Sequence, residues 1–232
     1  MKNQNLSVRK LARCGMVAAL YVVLCMALQP FSYGAVQVRV AEALCLLPVF
    51  GAEYIFGVVL GCFLANLLGS TIVDVIFGTL ATLLACVVTY KLRNVRFKGL
   101  AIVPSLPPVL FNAVIIGIEI AVMFPDPSSS APLWLACITN GISVGIGELI
   151  SCTVLGVLLA NRYALQSMGE KVLPLLSSVI EFLGKIVFVM VFIPRFAYNA
   201  VILCEPVIWC FMTAELMTVY LHNPFVFPKK KK

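Results

Sequence analysis

The sequence predicts an all-α integral membrane protein: a six-helix bundle followed by a C-terminal pair of transmembrane helices. Three observations carry this expectation. Of the 232 residues, 62% are hydrophobic, only 12% are charged, and the apolar residues fall in long unbroken runs separated by short polar turns. Barrel strands would alternate apolar and polar positions, so the runs are read as helices, whose backbone groups are all satisfied within the segment. A hydrocarbon core of about 30 Å needs about 20 helical residues per crossing, which gives room for about six to eight crossings and none for a separate soluble domain.

The six helices of the bundle are expected at residues 11–29, 38–50, 54–70, 74–91, 105–123 and 133–162, within a domain spanning residues 1–163. The second is short: thirteen residues rise only about 20 Å as an α-helix, so it is expected to begin below the outer surface, in a sheltered recess. Residues 164–232 form a C-terminal extension with two further apolar runs, 172–193 and 199–222, and the lysine tail 229–232. Residues 1–29 are read as a retained helix rather than a signal peptide, because "CMALQPF" offers no small-residue cleavage site.

Basic residues orient the set. Lys2, Arg9, Lys10 and Arg13 precede the first helix, and Lys91, Arg93, Arg96 and Lys98 follow the fourth, which places both clusters in the cytoplasm. The connection "PDPSSSAP" carries no base and is placed outside. Six crossings with both ends inside satisfy these counts, and the lysine tail returns to the same side if the last two runs also cross. The expected location is therefore the cell membrane, multi-pass, with both termini cytoplasmic. The net charge of +7 then reflects topology and attraction to the inner leaflet rather than nucleic acid.

Nine cysteines, at 14, 25, 45, 62, 86, 137, 152, 204 and 210, are scattered without CxxC pairs and are expected to be small packing residues rather than metal ligands or disulfides. The single histidine, His222, sits at the edge of the last run. No Ser/His/Asp, Cys/His or multi-histidine set and no GxxxxGK[ST] loop occurs, so neither an enzyme nor a self-contained ATPase is expected, and no cofactor or metal is implied. Small residues recur every four positions at Gly57, Gly61 and Ala65, at Gly15 and Ala19, and at Gly141 and Gly145. Such faces let lipid-immersed helices approach closely. The third helix is expected to use its face internally, whereas Gly15 and Ala19 on the first are candidates for docking another membrane subunit.

Polar residues inside the spans carry the functional information, since each costs about 2.5 kcal/mol or more at a helix centre unless partnered or wetted. They are Arg39, Glu42, Asn66, Asp74, Asn112, Glu119, Asn140 and Glu148. The topology puts Arg39, Glu42, Asn66, Asp74 and Glu119 in the outer half and Asn112 and Glu148 nearer the midplane, which suggests a pocket open to the outside. Simpler roles exist for each. Arg39 and Glu42 share a helix face at i and i+3 and can neutralise one another. Asp74, four residues after Ser70, can cap the fourth helix. Glu119 can reach the interface, and Glu148 can be a hydrogen-bonded structural carboxyl. Glu53, in the turn "GAEY", is expected to be solvated.

Five segments, "FSYGAVQVRVAEALCLLPVFG", "GVVLGCFLANLLGS", "DVIFGTLATLLACVVTYKLR", "PSLPPVLFNAVIIGIEI" and "GIGELISC", together resemble the QueT family of queuosine precursor transporters over about residues 10–163. The family's "RVSEAL" motif matches Arg39 and Glu42, with Ala41 in place of the commoner serine, and Asn66, Asp74, Asn112, Glu119 and Glu148 fall at the other matching positions. The resemblance implies a substrate-binding S component of an energy-coupling factor (ECF) transporter, paired with a transmembrane coupling subunit and two cytoplasmic ATPases. It also implies a 7-deazaguanine ligand, such as the aminomethyl form. Glu42 and Glu148 would then read the base or its amine, Asn66 and Asn112 would offer amide pairs, and Arg39 would bind the carbonyl oxygen or hold Glu42. Tyr33 would stack on the ring from the outer loop. Beyond residue 162 the chain departs from the family. The alternative is a self-sufficient, ion-coupled secondary transporter with Glu148 or Glu119 as proton site, although no inverted repeat is evident in the six-helix region.

Overall fold

Every regular element among the described residues is helical. The computed structural model describes residues 2–28, 39–97, 100–125, 132–167 and 172–192, together with positions 204, 208, 211, 212, 215 and 218. The first helix, α1 (Lys2–Ala27), begins in the basic N-terminal segment rather than at residue 11. Its apolar part, Val8–Ala27, is long enough to cross a membrane, as are Ile72–Lys91, Ile102–Met123 and Leu133–Ala164. Two shorter apolar helices, Val40–Val49 and Glu53–Gly69, lie between the first and second of these.

The expected α-helix at 38–50 is instead a 3₁₀ helix, α2 (Val40–Val49). Such winding rises about 2.0 Å per residue, so ten residues cover the distance that thirteen would in an α-helix. It also eclipses every third residue, which lines up Glu42, Cys45 and Pro48 in one column. Long 3₁₀ runs are intrinsically unfavourable, so packing must hold this one. It touches α1, α3 (Glu53–Gly69), α4 (Ile72–Lys91), α5 (Ile102–Met123) and the seven-residue segment Leu149–Leu155. Eight of its ten residues are buried, as suits an element surrounded on most sides.

Around it α1 packs on α3, α3 on α4, α4 on α5 and α5 on α6, the helix that begins at Leu133 and ends at Ser167. The small face of α3 is used internally, as expected: a methyl group at Gly61 would come within 2.6 Å of Tyr21 Cβ and 3.0 Å of the Ala18 carbonyl oxygen. Gly141 likewise meets α5, at Gly117 and Ala113. Gly15 differs, with nothing within 4 Å of the position a Cβ would occupy, and Ala19 is also exposed.

Two prolines sit inside α5, Pro107 and Pro108. Pro108 has no N–H to give the carbonyl four residues earlier, that of Pro104. The Thr89 hydroxyl on α4 donates to that oxygen at 2.9 Å, so a side chain from a neighbouring helix completes the backbone.

The sixth helix, expected as one α-helix, contains a change of winding. It runs as α-helix over Leu133–Glu148, as π-helix over Leu149–Leu155, and as α-helix again over Gly156–Ser167; the three parts together are α6. The Ser105 hydroxyl on α5 is 3.1 Å from the Thr153 hydroxyl in the π segment.

The chain divides into two compact units, Met1–Val157 and Leu158–Lys232. In the second, α7 (Val172–Val187) continues as a π turn, Phe188–Phe192. Within this unit Arg162 donates to the Ser178 hydroxyl, Lys185 pairs with Glu181 at 3.0 Å, and Gly184 faces Ile208. Most of the last apolar run, with Cys210, His222 and the lysine tail, lies outside the described residues, as do the loop 30–36 and Tyr33.

Candidate functional site

The site is built on α2. Its buried column presents Glu42, which is 1% exposed, toward α1 and α6. Glu42 Oε1 accepts the Tyr21 hydroxyl from α1 at 2.5 Å, and Oε2 accepts the Cys45 thiol, one 3₁₀ turn along, at 2.8 Å. The second carboxyl, Glu148, is 2% exposed and closes the first α-helical part of α6. It is hydrogen-bonded to the buried Asn112 of α5 and to Cys152, whose Sγ stands 3.4 Å from Oε2. Cys152 also donates to the Glu42 backbone carbonyl at 3.2 Å, so the π segment ties the two acidic residues together. Donor atoms of Glu42, Glu148 and Cys152 all lie within 4.8 Å of one another. Two carboxylates so close in a low-dielectric interior call for a cation or a shared proton between them.

Arg39, immediately before α2, supplies part of that charge. Its guanidinium acts on Tyr21, Glu42 and Glu148, and its backbone carbonyl accepts the Glu42 N–H at 2.9 Å. The same charge reaches Asp74 and Glu119. Four carboxyl groups thus share the field of one guanidinium among the described residues, an arrangement that favours a cationic guest.

Asn66, Asp74 and Glu119 form a second group, where α3 turns into α4. Asn66 donates through Nδ2 to the Asp74 carbonyl at 3.1 Å and to Cys62 Sγ at 3.5 Å. The amide occupies space left by Gly78, where a Cβ would sit 2.8 Å from Nδ2. The cap of α4 is Thr71 rather than Asp74, which instead stands at the third helical position of a capping box: Thr71 Oγ1 accepts from the Asp74 N–H at 3.3 Å, while Asp74 Oδ2 accepts from Thr71 N–H, Thr71 Oγ1 and the Ser70 hydroxyl. Glu119 is 4% exposed and faces Asp74; it also lines an apolar groove of about 370 Å³ with Phe77, Leu80, Val114, Ile118 and Val122.

Of the residues singled out in sequence, Arg39, Glu42, Asn112 and Glu148 therefore converge, and Asn66, Asp74 and Glu119 make a neighbouring group. Gly15 and Ala19 lie on the outer face of α1, away from both. Tyr33 lies outside the described residues. Glu53, expected to be solvated, is only partly exposed and stands 3.8 Å from Arg13 Nη1. Sequence reasoning missed Tyr21 and the thiols. The cysteine signal was present as spacing: Cys45 at i+3 from Glu42, Cys152 at i+4 from Glu148, and Cys62 four residues before Asn66. All described cysteines are free thiols.

The profile of the QueT transporter family matches residues 11–166. A stretch of 69 residues is 49% identical to the queuosine precursor transporter QueT of Lactococcus lactis subsp. cremoris (strain MG1363), covering 29% of this chain and 41% of that relative. The aligned stretch thus spans about two-fifths of the relative's length. No solved structure matches the chain. With a family match over two-thirds of its length and four helices long and apolar enough to cross a bilayer, the chain belongs to the QueT transporter family and is a multi-pass membrane protein.

Proposed function

We propose that this protein is the membrane-embedded substrate-binding subunit of an ECF-type importer. It captures a queuosine precursor, a 7-deazaguanine such as the aminomethyl form, from outside the cell, while partner subunits hydrolyse ATP. The observation that carries the reading is the convergence of Glu42 and Glu148 within 4.8 Å in the interior of a transporter-family chain. The pyrimidine edge of a deazaguanine presents paired N–H donors, and its aminomethyl arm a cation; carboxylates accept both. Glu42 and Glu148 read these groups, Asn112 and Asn66 add amide contacts, and Arg39 binds the ring carbonyl or steadies Glu42. Asp74 and Glu119 line the approach, and Tyr33 stacks on the ring as the loop 30–36 closes.

The topology in this reading is six crossings with both termini cytoplasmic. In its favour, Arg13 beside Glu53 brings the basic end of α1 and the first residue of α3 to one level, and Tyr21, eight residues further along α1, reaches Glu42 about 12 Å deeper. The exposed Gly15 and Ala19 face takes the coupling subunit, which works with two cytoplasmic ATPases. The role of the extension 164–232 is not part of this capture step.

Calorimetry on purified protein with the aminomethyl, cyano and free-base deazaguanines tests the assignment. Binding that survives unchanged in both Glu42→Gln and Glu148→Gln overturns it. The ion-coupled alternative would use Glu148 or Glu119 as its proton site, and Glu119 faces Asp74. Uptake that persists when the ATPases are poisoned and collapses with the proton gradient would select that alternative.

A further inference from the structure

Three buried donors of mixed hardness meet at the centre of the first unit: the Glu42 carboxylate on α2, the Glu148 carboxylate on α6, and the Cys152 thiol in the π segment. Solute recognition explains the carboxylates but not the sulfur, because a thiol is a weak donor and a weak acceptor. Packing explains a small side chain at 152 but not the aim of its sulfur, which lies 3.4 Å from Glu148 Oε2. That separation is close to the roughly 3.6 Å between a sulfur and an oxygen bound to one tetrahedral zinc at about 2.3 and 2.1 Å. Cys45 brings another sulfur to one of these carboxylates, 2.8 Å from Glu42 Oε2, and is itself hydrogen-bonded to Cys86 of α4. Cys45, Cys86 and Cys152 are all fully buried.

We propose that Glu42, Glu148 and Cys152 form a binding site for a soft or borderline divalent metal of the zinc class, with Cys45 placed to serve as a fourth ligand. The donor set decides the class: magnesium and calcium take oxygen shells, whereas a thiolate beside carboxylates selects zinc or cadmium. Charge agrees, since two carboxylates and a thiolate exceed a divalent ion by one negative charge and the Arg39 guanidinium acts on both carboxylates. The thiol gives up its proton to solvent as the metal binds, so binding weakens in acid. Cys152 lies in the π segment that follows Glu148 and contacts the Glu42 carbonyl from there. If the same carboxylates hold the solute's amine, as proposed above, metal and solute exclude one another; the metal site itself does not depend on that reading.

Cadmium ion alone is the probe, followed by thiolate-to-metal charge-transfer absorption of the purified full-length protein. The background carries Cys14, Cys25, Cys137, Cys204 and Cys210 replaced by alanine, leaving the buried thiols 45, 62, 86 and 152. The expected result is saturation at one equivalent, with affinity falling by about tenfold or more in Cys152→Ser and in Glu148→Gln, and unchanged in Cys62→Ser. Absence of a saturable band, or equal affinity with and without the Cys152 sulfur, overturns the site. If the background variant does not fold, the wild-type chain and its Cys152→Ser variant decide the matter through Tm. Cadmium is expected to raise Tm more in the wild type than in Cys152→Ser, and an equal rise in both overturns the proposal. Neither measurement uses a deazaguanine, so failure here and failure of the solute assignment are separate results.

Discussion

Tyr21 on the first helix donates its hydroxyl to Glu42 Oε1 on the central 3₁₀ helix at 2.5 Å, a contact between residues 21 positions apart. Both groups are buried, so neither can turn to water instead. Tyr21→Phe keeps the ring and removes the donor. It is expected to cost about 1–3 kcal/mol of stability, the desolvation penalty of a buried acceptor left unpaired, read as a lower Tm in detergent. Because it also releases one oxygen of Glu42, affinity for the deazaguanine should change with it. A Tyr21→Phe protein with wild-type Tm would show that the hydroxyl does not hold Glu42.

Much of this centre was legible in the sequence. Carboxylates and amides inside apolar runs had no lipid-compatible reason to be there, and most of them do meet in the folded chain. A place for Asp74 in the cap of α4 was visible from its distance to Ser70, but the cap itself is Thr71, with Asp74 three residues on. The internal use of Gly57 and Gly61 followed from four-residue spacing. The windings were not legible. A ten-residue 3₁₀ helix is set by what surrounds it rather than by the preferences of "VAEALCLLPV", and a π segment after Glu148 has no composition signal. Tyr21 was missed for a related reason: an aromatic in a lipid-spanning helix looks like any other apolar residue until its partner is known.

Thr89 and Pro108 should be coupled. The Thr89 hydroxyl serves the Pro104 carbonyl that Pro108 cannot reach with an N–H. Thr89→Val is therefore expected to lose about 1–3 kcal/mol in the wild-type background. Pro108→Ala supplies the missing N–H, so the same Thr89 change should cost much less there. A double-mutant cycle on Tm checks this, and strict additivity of the two changes would refute the backbone-completion role.

Gly61 and Gly15 are expected to respond in opposite ways. Gly61→Ala places a methyl group 2.6 Å from Tyr21 Cβ and must push α1 from α3, at a cost of about 1–3 kcal/mol and with loss of solute binding. A Cβ at Gly15 meets nothing within 4 Å, so Gly15→Leu should leave Tm and solute binding intact. In cells the Gly15 change should nonetheless abolish uptake, because the exposed face is the one assigned to the coupling subunit. Loss of binding together with uptake in Gly15→Leu would point instead to a fold defect and remove the docking assignment.

The charge inventory around Arg39 makes a prediction about solute choice. Glu42, Glu148, Asp74 and Glu119 all lie in reach of that one guanidinium, so the interior carries more carboxyls than cationic partners among the described residues. A cationic aminomethyl solute should therefore bind at least about tenfold tighter than the neutral cyano form of the same ring, a difference of about 1.4 kcal/mol. Glu148→Gln keeps hydrogen-bonding capacity and removes one charge, so it should weaken the aminomethyl form more than the cyano form and narrow the gap between them. The comparison separates two roles that a single affinity cannot. If Glu148 reads the amine, the loss falls on the cation alone; if it serves only to hold Asn112 and Cys152, both solutes lose equally. Calorimetric titration of the two solutes into wild-type and Glu148→Gln protein measures the four affinities. Equal losses for the two solutes would remove Glu148 from amine recognition, whatever the affinity of the wild-type protein.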